Sequence, residues 1–154
     1  MKVVLFQPQI PQNTGNIVRT CSVSGSGLLL VKPLGFSTSN RRLKRAGLDY
    51  WEGVDVSYTD NLENYLETVS APFYFFSSHA TKIYSEITFQ PGDHLIFGSE
   101  TTGLPQTFHQ RWPHLFYTIP MKSGARCLNL ANAASIVLYE AWRQQSFKPT
   151  HEPI

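Results

Sequence analysis

The sequence predicts one α/β domain, a mainly parallel sheet with helices on both faces. Short runs of β-forming residues alternate with helix-like stretches, and that order implies parallel strands joined by crossovers. The 154 residues suit a single domain, 1–154, and no internal repeat or low-complexity segment divides it. A hydrophobic content of 42% against 16% charged residues is that of a globular protein with a core to bury.

Lys2 to Phe6 reads as a buried strand, which Pro8 and Pro11 end. Asn13-Thr14-Gly15-Asn16 opens a helix from about Ile17 to Ser24, with Asn13 or Thr14 as its N-cap. A turn through Ser24-Gly25-Ser26-Gly27 leads to a second strand, Leu28 to Val31, and completes a βαβ unit. This unit lacks GxGxxG, so the usual dinucleotide loop is absent. Pro33-Leu34-Gly35-Phe36 is a loop. Asn40 caps a short basic helix, Arg41 to Ala46, closed by Gly47. Val54 to Val56 is a weak strand, and Asn61 to Val69 an amphipathic helix. Phe73 to Phe76 is rich in β-formers, whereas Ser77 to Gln90 is polar and irregular. His94 to Phe97 is the next strand, and a short helix around Gln106 to Gln110 follows the loop after it.

Phe116 to Ile119 is the last strand, stopped by Pro120. After a polar loop, a helix from Leu128 to Arg143 carries no formal charge until Glu140. Apolar residues cover nearly its whole circumference, which marks a helix buried or packed on more than one side. Asn129 and Asn132 fall in its first turn, beside free N–H groups and the positive dipole end. Residues 145–154, with Pro149 and Pro153, read as a frayed tail.

Composition narrows the function. No apolar run approaches the roughly 20 residues of a membrane helix. Two cysteines, Cys21 and Cys127, make no disulfide framework and, without a secretory signal, point to the cytoplasm. Five histidines show no metal-ligand spacing, so no metal is expected. A net charge of +2 and a pI near 8.6 permit an RNA partner without requiring one.

Three loops follow predicted strands at their carboxyl ends, where open α/β sheets bind ligands. The first, 8–16, leads to Arg19, and Asn13 and Arg19 could grip a phosphate or polarise a hydroxyl. Its bland alternative is a capped helix with a solvated arginine. The second, 98–105, sets Glu100 between Gly98 and Gly103, so that backbone can approach a ligand closely. Its alternative is a plain strand-to-helix turn. The third is 120–127, ahead of the apolar helix. The cluster Arg41, Arg42, Lys44 and Arg45 could contact phosphates, or be a solvated face. Trp51, Trp112 and Trp142 read as packing residues.

Taken together the loops are specific. NTGNIVRTC, LIFGSETTGLP and IPMKSGARCLNLANAASIVLYEAWR, in that order, resemble the SPOUT RNA methyltransferases, most closely the TrmL (YibK-like) group. QPQIPQNTGN, PLGF and RRLKRAGLDYW extend the resemblance over nearly the whole chain. It implies a C-terminal deep trefoil knot, which periodicity does not show, and a homodimer. It implies S-adenosylmethionine as cofactor, leaving S-adenosylhomocysteine, and 2′-O-methylation of the wobble nucleotide (cytidine or uridine 34) of tRNA, leucine tRNAs among them. By position, cofactor contacts fall at Phe76, Gly98, Gly103, Ile119, Met121, Cys127, Leu128 and Asn132. The group commonly has serine where this chain has Cys127, and a thiol is a weaker hydrogen-bond partner.

The resemblance also assigns catalytic roles to Arg19, Asn13, Glu100 and Tyr139, and RNA contacts to Arg41, Arg42, Lys44, Arg45 and Arg126. Arginine is effectively never deprotonated, so Arg19 is expected to hold a phosphate and stabilise alkoxide charge rather than act as a base. Asn13 and Glu100 would orient it, Tyr139 would face the dimer partner, and the basic cluster would hold the anticodon arm. The rival expectations are a non-catalytic RNA-binding module, methylation at a different RNA position, and an ordinary doubly wound nucleotide enzyme. The missing phosphate-cradling glycine motif counts against the last.

Overall fold

The computed structural model describes residues 1–39 and 48–148. Among these, seven strands form one sheet: β1 (Lys2–Phe6), β2 (Gly27–Val31), β3 (Val56–Thr59), β4 (Phe73–Phe76), β5 (Lys82–Ile83), β6 (His94–Phe97) and β7 (Phe116–Thr118). Their order is β3-β2-β1-β6-β4-β7-β5, and every pairing is parallel. The chain winds outward from β1 to β3, then restarts on the other side. Strand order therefore reverses beside β1, the place where such sheets open a crevice at their carboxyl ends.

Among the described residues four α-helices cover the two faces: α1 (Pro11–Ser24), α2 (Leu62–Thr68), α3 (Gln106–Arg111) and α4 (Leu130–Gln144). Successive strand residues point to opposite faces. Val3, Leu5, Leu28, Leu30, Leu95 and Phe97 pack with Ile17, Val18 and Cys21 of α1 and Val137, Leu138 and Ala141 of α4. Val4, Leu29, Phe75 and Ile96 pack with Leu62 and Leu66 of α2 and Phe108 of α3. Phe75 centres this second core, with ring centroids of Phe116 at 4.7 Å and Trp112 at 5.4 Å. Trp51 packs against the first core, and Trp142 against Tyr139 and Phe147.

Several elements depart from expectation. Helix α1 begins at Pro11, six residues before Ile17, with Ile10 as an N-cap lacking a side-chain bond. Asn13 and Thr14 are thus inside the helix and buried rather than capping it. The third strand begins at Val56 and runs to Thr59, because Leu28 draws its register onto Val56. Segment 77–90 is not wholly irregular: Lys82–Ile83 pairs with β7, and Ile87 and Phe89 enter the core. The helix expected around Gln106 to Gln110 is found at Gln106–Arg111 with Pro105 as its N-cap, whereas β7 stops at Thr118, one residue short.

Helix α4 begins at Leu130, with Asn129 as its cap. It is buried along one side only, for Ile136 and Tyr139 are 37% and 42% exposed. Its tail is partly held: the Trp142 indole donates to the Lys148 carbonyl at 2.9 Å. The expected basic helix, with Asn40 and Arg41 to Gly47, lies outside the described residues, as does the tail from 149. Among the described residues no helix is long and apolar enough to cross a membrane.

Candidate functional site

β1, β6, β4 and β7 lie side by side, so the segments leaving their carboxyl ends gather at one edge of the sheet. They enclose a cavity of about 650 Å³, within the range that holds small ligands. Three of its walls are the predicted loops. The fourth, Ser77 to His79 after β4, carried no sequence signal beyond its polarity.

One chain of side-chain hydrogen bonds ties three loops together. Glu100 accepts from the Gln9 amide at 2.8 Å, the Ile10 amide at 3.1 Å and Asn13 Nδ2 at 3.2 Å. A carboxylate there meets the positive end of α1, which explains why α1 needs no local cap. Glu100 accepts only, so Asn13 must turn its NH2 group toward it. Asn13 Oδ1 then faces Asn129, whose Nδ2 donates at 2.9 Å. Asn129 Oδ1 is left to cap α4, accepting from the Ala131 amide at 2.9 Å. Asn13, Glu100 and Asn129 all line the cavity, and the two helix starts converge on it.

The loop after β6 is folded tightly on itself. Ser99 and Gly103 exchange backbone hydrogen bonds at 3.1 and 2.9 Å. A side chain at Gly98 would come within 2.7 Å of the Leu104 amide nitrogen, so only glycine lets the two limbs close. Apolar walls come from Phe76, Phe97, Ile119, Leu128 and Leu130. Phe76 and Phe97 stack at 5.0 Å beneath them. The Cys127 thiol lies 3.5 Å from the Ser78 hydroxyl, which it contacts as donor. Two histidines that sequence reading passed over, His79 and His109, also line the cavity. His109 stacks on Phe116 with centroids 3.9 Å apart. Burial, and then the neighbouring His79, pushes its imidazole below the usual value.

Of the residues assigned to the cofactor, Phe76, Gly98, Gly103, Ile119, Met121, Cys127 and Leu128 line this cavity, whereas Asn132 does not and is exposed. Asn13 and Glu100 line it too; Arg19, Tyr139 and Arg126 do not. Arg19 is exposed on α1, six residues past Asn13 and so about 9 Å further along the axis. Arg41, Arg42, Lys44 and Arg45 lie outside the described residues. Asn129 is the residue the site assignment missed. Its signal was a polar side chain just ahead of a long apolar helix. Among the described residues no group of three His, Cys, Asp or Glu side chains could hold a metal.

The model of the SpoU rRNA methylase family matches residues 1–139. A tRNA (cytidine(34)-2′-O)-methyltransferase of Methylovorus glucosotrophus is 44% identical over 147 residues, which are 94% of this chain and 96% of that one. A protein solved for structural insights into the 2-OH methylation of C/U34 on tRNA superposes with a TM-score of 0.88 at 42% identity, covering 96% of this chain and 97% of the other. An AdoMet-bound rRNA methyltransferase of Sinorhizobium meliloti gives 0.78 at 26% identity, over 92% of this chain and 55% of that one.

Proposed function

This chain belongs to the SpoU rRNA methylase family, and on that premise we propose that it methylates the ribose 2′-OH of the wobble nucleotide, position 34, of tRNA. The observation that carries the reading is the cavity itself: three loops, locked by the Asn129–Asn13–Glu100 chain, in a protein similar over its length to enzymes of that activity. Leucine tRNAs are the proposed substrates and the cytoplasm the proposed location.

S-adenosylmethionine fits the residues present. The cavity has the volume of a small-ligand site and pairs apolar walls with loop backbone. Phe76, Ile119 and Leu128 would give the cofactor apolar contact, and the 98–103 loop would hold it through backbone groups. When bound, the cofactor supplies an activated sulfonium methyl group. The protein's own part is alignment. Asn13, Glu100 and Asn129 fix the loops, while a cation steadies the charge that develops on the ribose oxygen.

Arg19 is that cation in this reading, and it would act across a homodimer. It shares an exposed stripe of α1 with Asn16 and Val23. Val23 is 58% exposed, as are Ile136 and Tyr139 in part on α4, the helix packed beside α1. A second copy covering this apolar face would carry its Arg19 toward the neighbouring cavity. The segment after β7 is read as the threaded limb of a trefoil knot. It must pass from the far side of β4, over the strand ends, to reach α1.

Nucleoside mass spectrometry of tRNA from a strain lacking the gene tests the assignment. We expect the 2′-O-methyl nucleosides of position 34 to disappear; unchanged wobble methylation would overturn it.

A further inference from the structure

A second hollow, of about 810 Å³, opens at the carboxyl ends of β2 and β3. Lys32, Pro33, Leu34, Phe36, Tyr58 and Asp60 line it. None of them belongs to the cavity described above. Lys32 and Tyr58 project from one face of the sheet: the ammonium lies 5.6 Å from the centre of the Tyr58 ring. Tyr58 is 43% exposed. Lys32 also faces Asp60 at 4.0 Å, between side chains 51% and 87% exposed. An ion pair that long and that solvated is weak, so Lys32 can leave it for another anion.

The hollow is strapped to the first cavity. Gly35 donates to the Pro8 carbonyl at 2.9 Å, and Gln7 to the Val31 carbonyl at 3.0 Å. A side chain at Gly35 would come within 2.7 Å of Gln9 Cα, so glycine is what lets this loop lie against the end of β1. The next link is the Gln9 amide bound to Glu100. Three strand spacings separate the two openings, about 14 Å, on the same edge of the sheet.

We propose that this hollow is a second RNA subsite, in which a base flanking the target nucleotide stacks on Tyr58 while Lys32 takes a backbone phosphate. An exposed aromatic residue beside a solvated, weakly paired cation is the combination that holds single strands. Its place beside the cavity suits a strand that has delivered one ribose there. Asp60 repels a phosphate from its own side, which directs the backbone along Lys32 and leaves the carboxylate to the base edge. The inference rests on the tRNA reading given above.

The test compares wild type with Tyr58→Ala, Tyr58→Phe and Lys32→Ala, reading KM for tRNA, affinity for S-adenosylhomocysteine and the quenching of 2-aminopurine placed beside the target nucleotide. Stacking on an aromatic ring makes the expected rise in KM for Tyr58→Ala about five- to hundred-fold. Tyr58→Phe should stay near wild type, and S-adenosylhomocysteine affinity should hold in all three. Quenching should be lost only in Tyr58→Ala. Lys32→Ala should weaken RNA binding and flatten its salt dependence. Unchanged KM and quenching in Tyr58→Ala, with an active wild type, would overturn the subsite alone. A wild type that methylates no tRNA would overturn the underlying function instead. Lost cofactor affinity in Tyr58→Ala would show a structural role and also overturn the subsite.

Discussion

Asn129 performs two tasks with one amide: its oxygen caps α4 and its nitrogen holds Asn13. Asn129→Ala removes a helix cap, worth about 1 kcal/mol. It also strands the buried Asn13 oxygen, at a further cost of about 1 kcal/mol. Urea unfolding should therefore show a loss near 2 kcal/mol, and a loss no larger than an ordinary cap deletion would mean that the Asn13 bond contributes nothing. Arg19→Ala should leave S-adenosylhomocysteine binding intact while abolishing methyl transfer; normal turnover by that variant would remove Arg19 from the mechanism. Individual residues were legible as types rather than as partners. Asn13 stood out as a polar residue near a helix start, yet Glu100 is 87 positions away and Asn129 116. Local pattern suggested a cap; the long-range carboxylate made the cap unnecessary and freed Asn13 for the cavity.

At the scale of elements, α4 is informative because its two sides differ. Its inner side is closed against β6 and α1, while Ile136 and Tyr139 remain open. Ile136→Asp should convert the proposed dimer to monomers in light scattering with little loss of secondary structure; a variant that stays dimeric would move the interface elsewhere. Strand β6 carries a pH dependence. His94 is buried at its start, with Nε2 2.9 Å from the Tyr65 hydroxyl. Burial first, and then the charge of Lys2, lowers its pKa below the usual 6.5. Below that value the unfolded chain binds more protons than the folded one. Stability should therefore be full above pH 6.5 and fall as pH drops toward the folded value. His109 acts in the same direction. Melting curves across this range check the sign, and His94→Gln should flatten part of the slope.

For the whole molecule, the decisive question is whether the proposed dimer shares its sites between subunits. An Arg19→Ala subunit and a subunit whose cavity is blocked by Gly98→Val should each be inactive alone. Mixed together, they should regain activity if one subunit's arginine serves the other's cavity. No recovery in mixed dimers would place Arg19 in its own subunit's site. The Gly98 replacement must first be shown to fold, since its side chain meets the Gly103–Leu104 backbone.

The sequence by itself determined six of the seven strands, though not the bounds of β3, and the family; β5 fell in a segment that reads as irregular. Runs such as Leu28-Leu29-Leu30-Val31 cannot be left in water, and the ordered loop motifs are specific. It also marked three of the four cavity walls, because ligand loops follow strands in an α/β sheet. The tertiary structure alone decided that β6 inserts between β1 and β4. That insertion brings Glu100 to the start of α1, sets Asn129 against Asn13 and leaves Arg19 outside the cavity of its own chain. The physical reason is that hydrophobic periodicity specifies which face of an element is buried, but not which other element covers it. Strand order is settled by the fit of whole faces and by hydrogen bonds between residues that no local pattern relates.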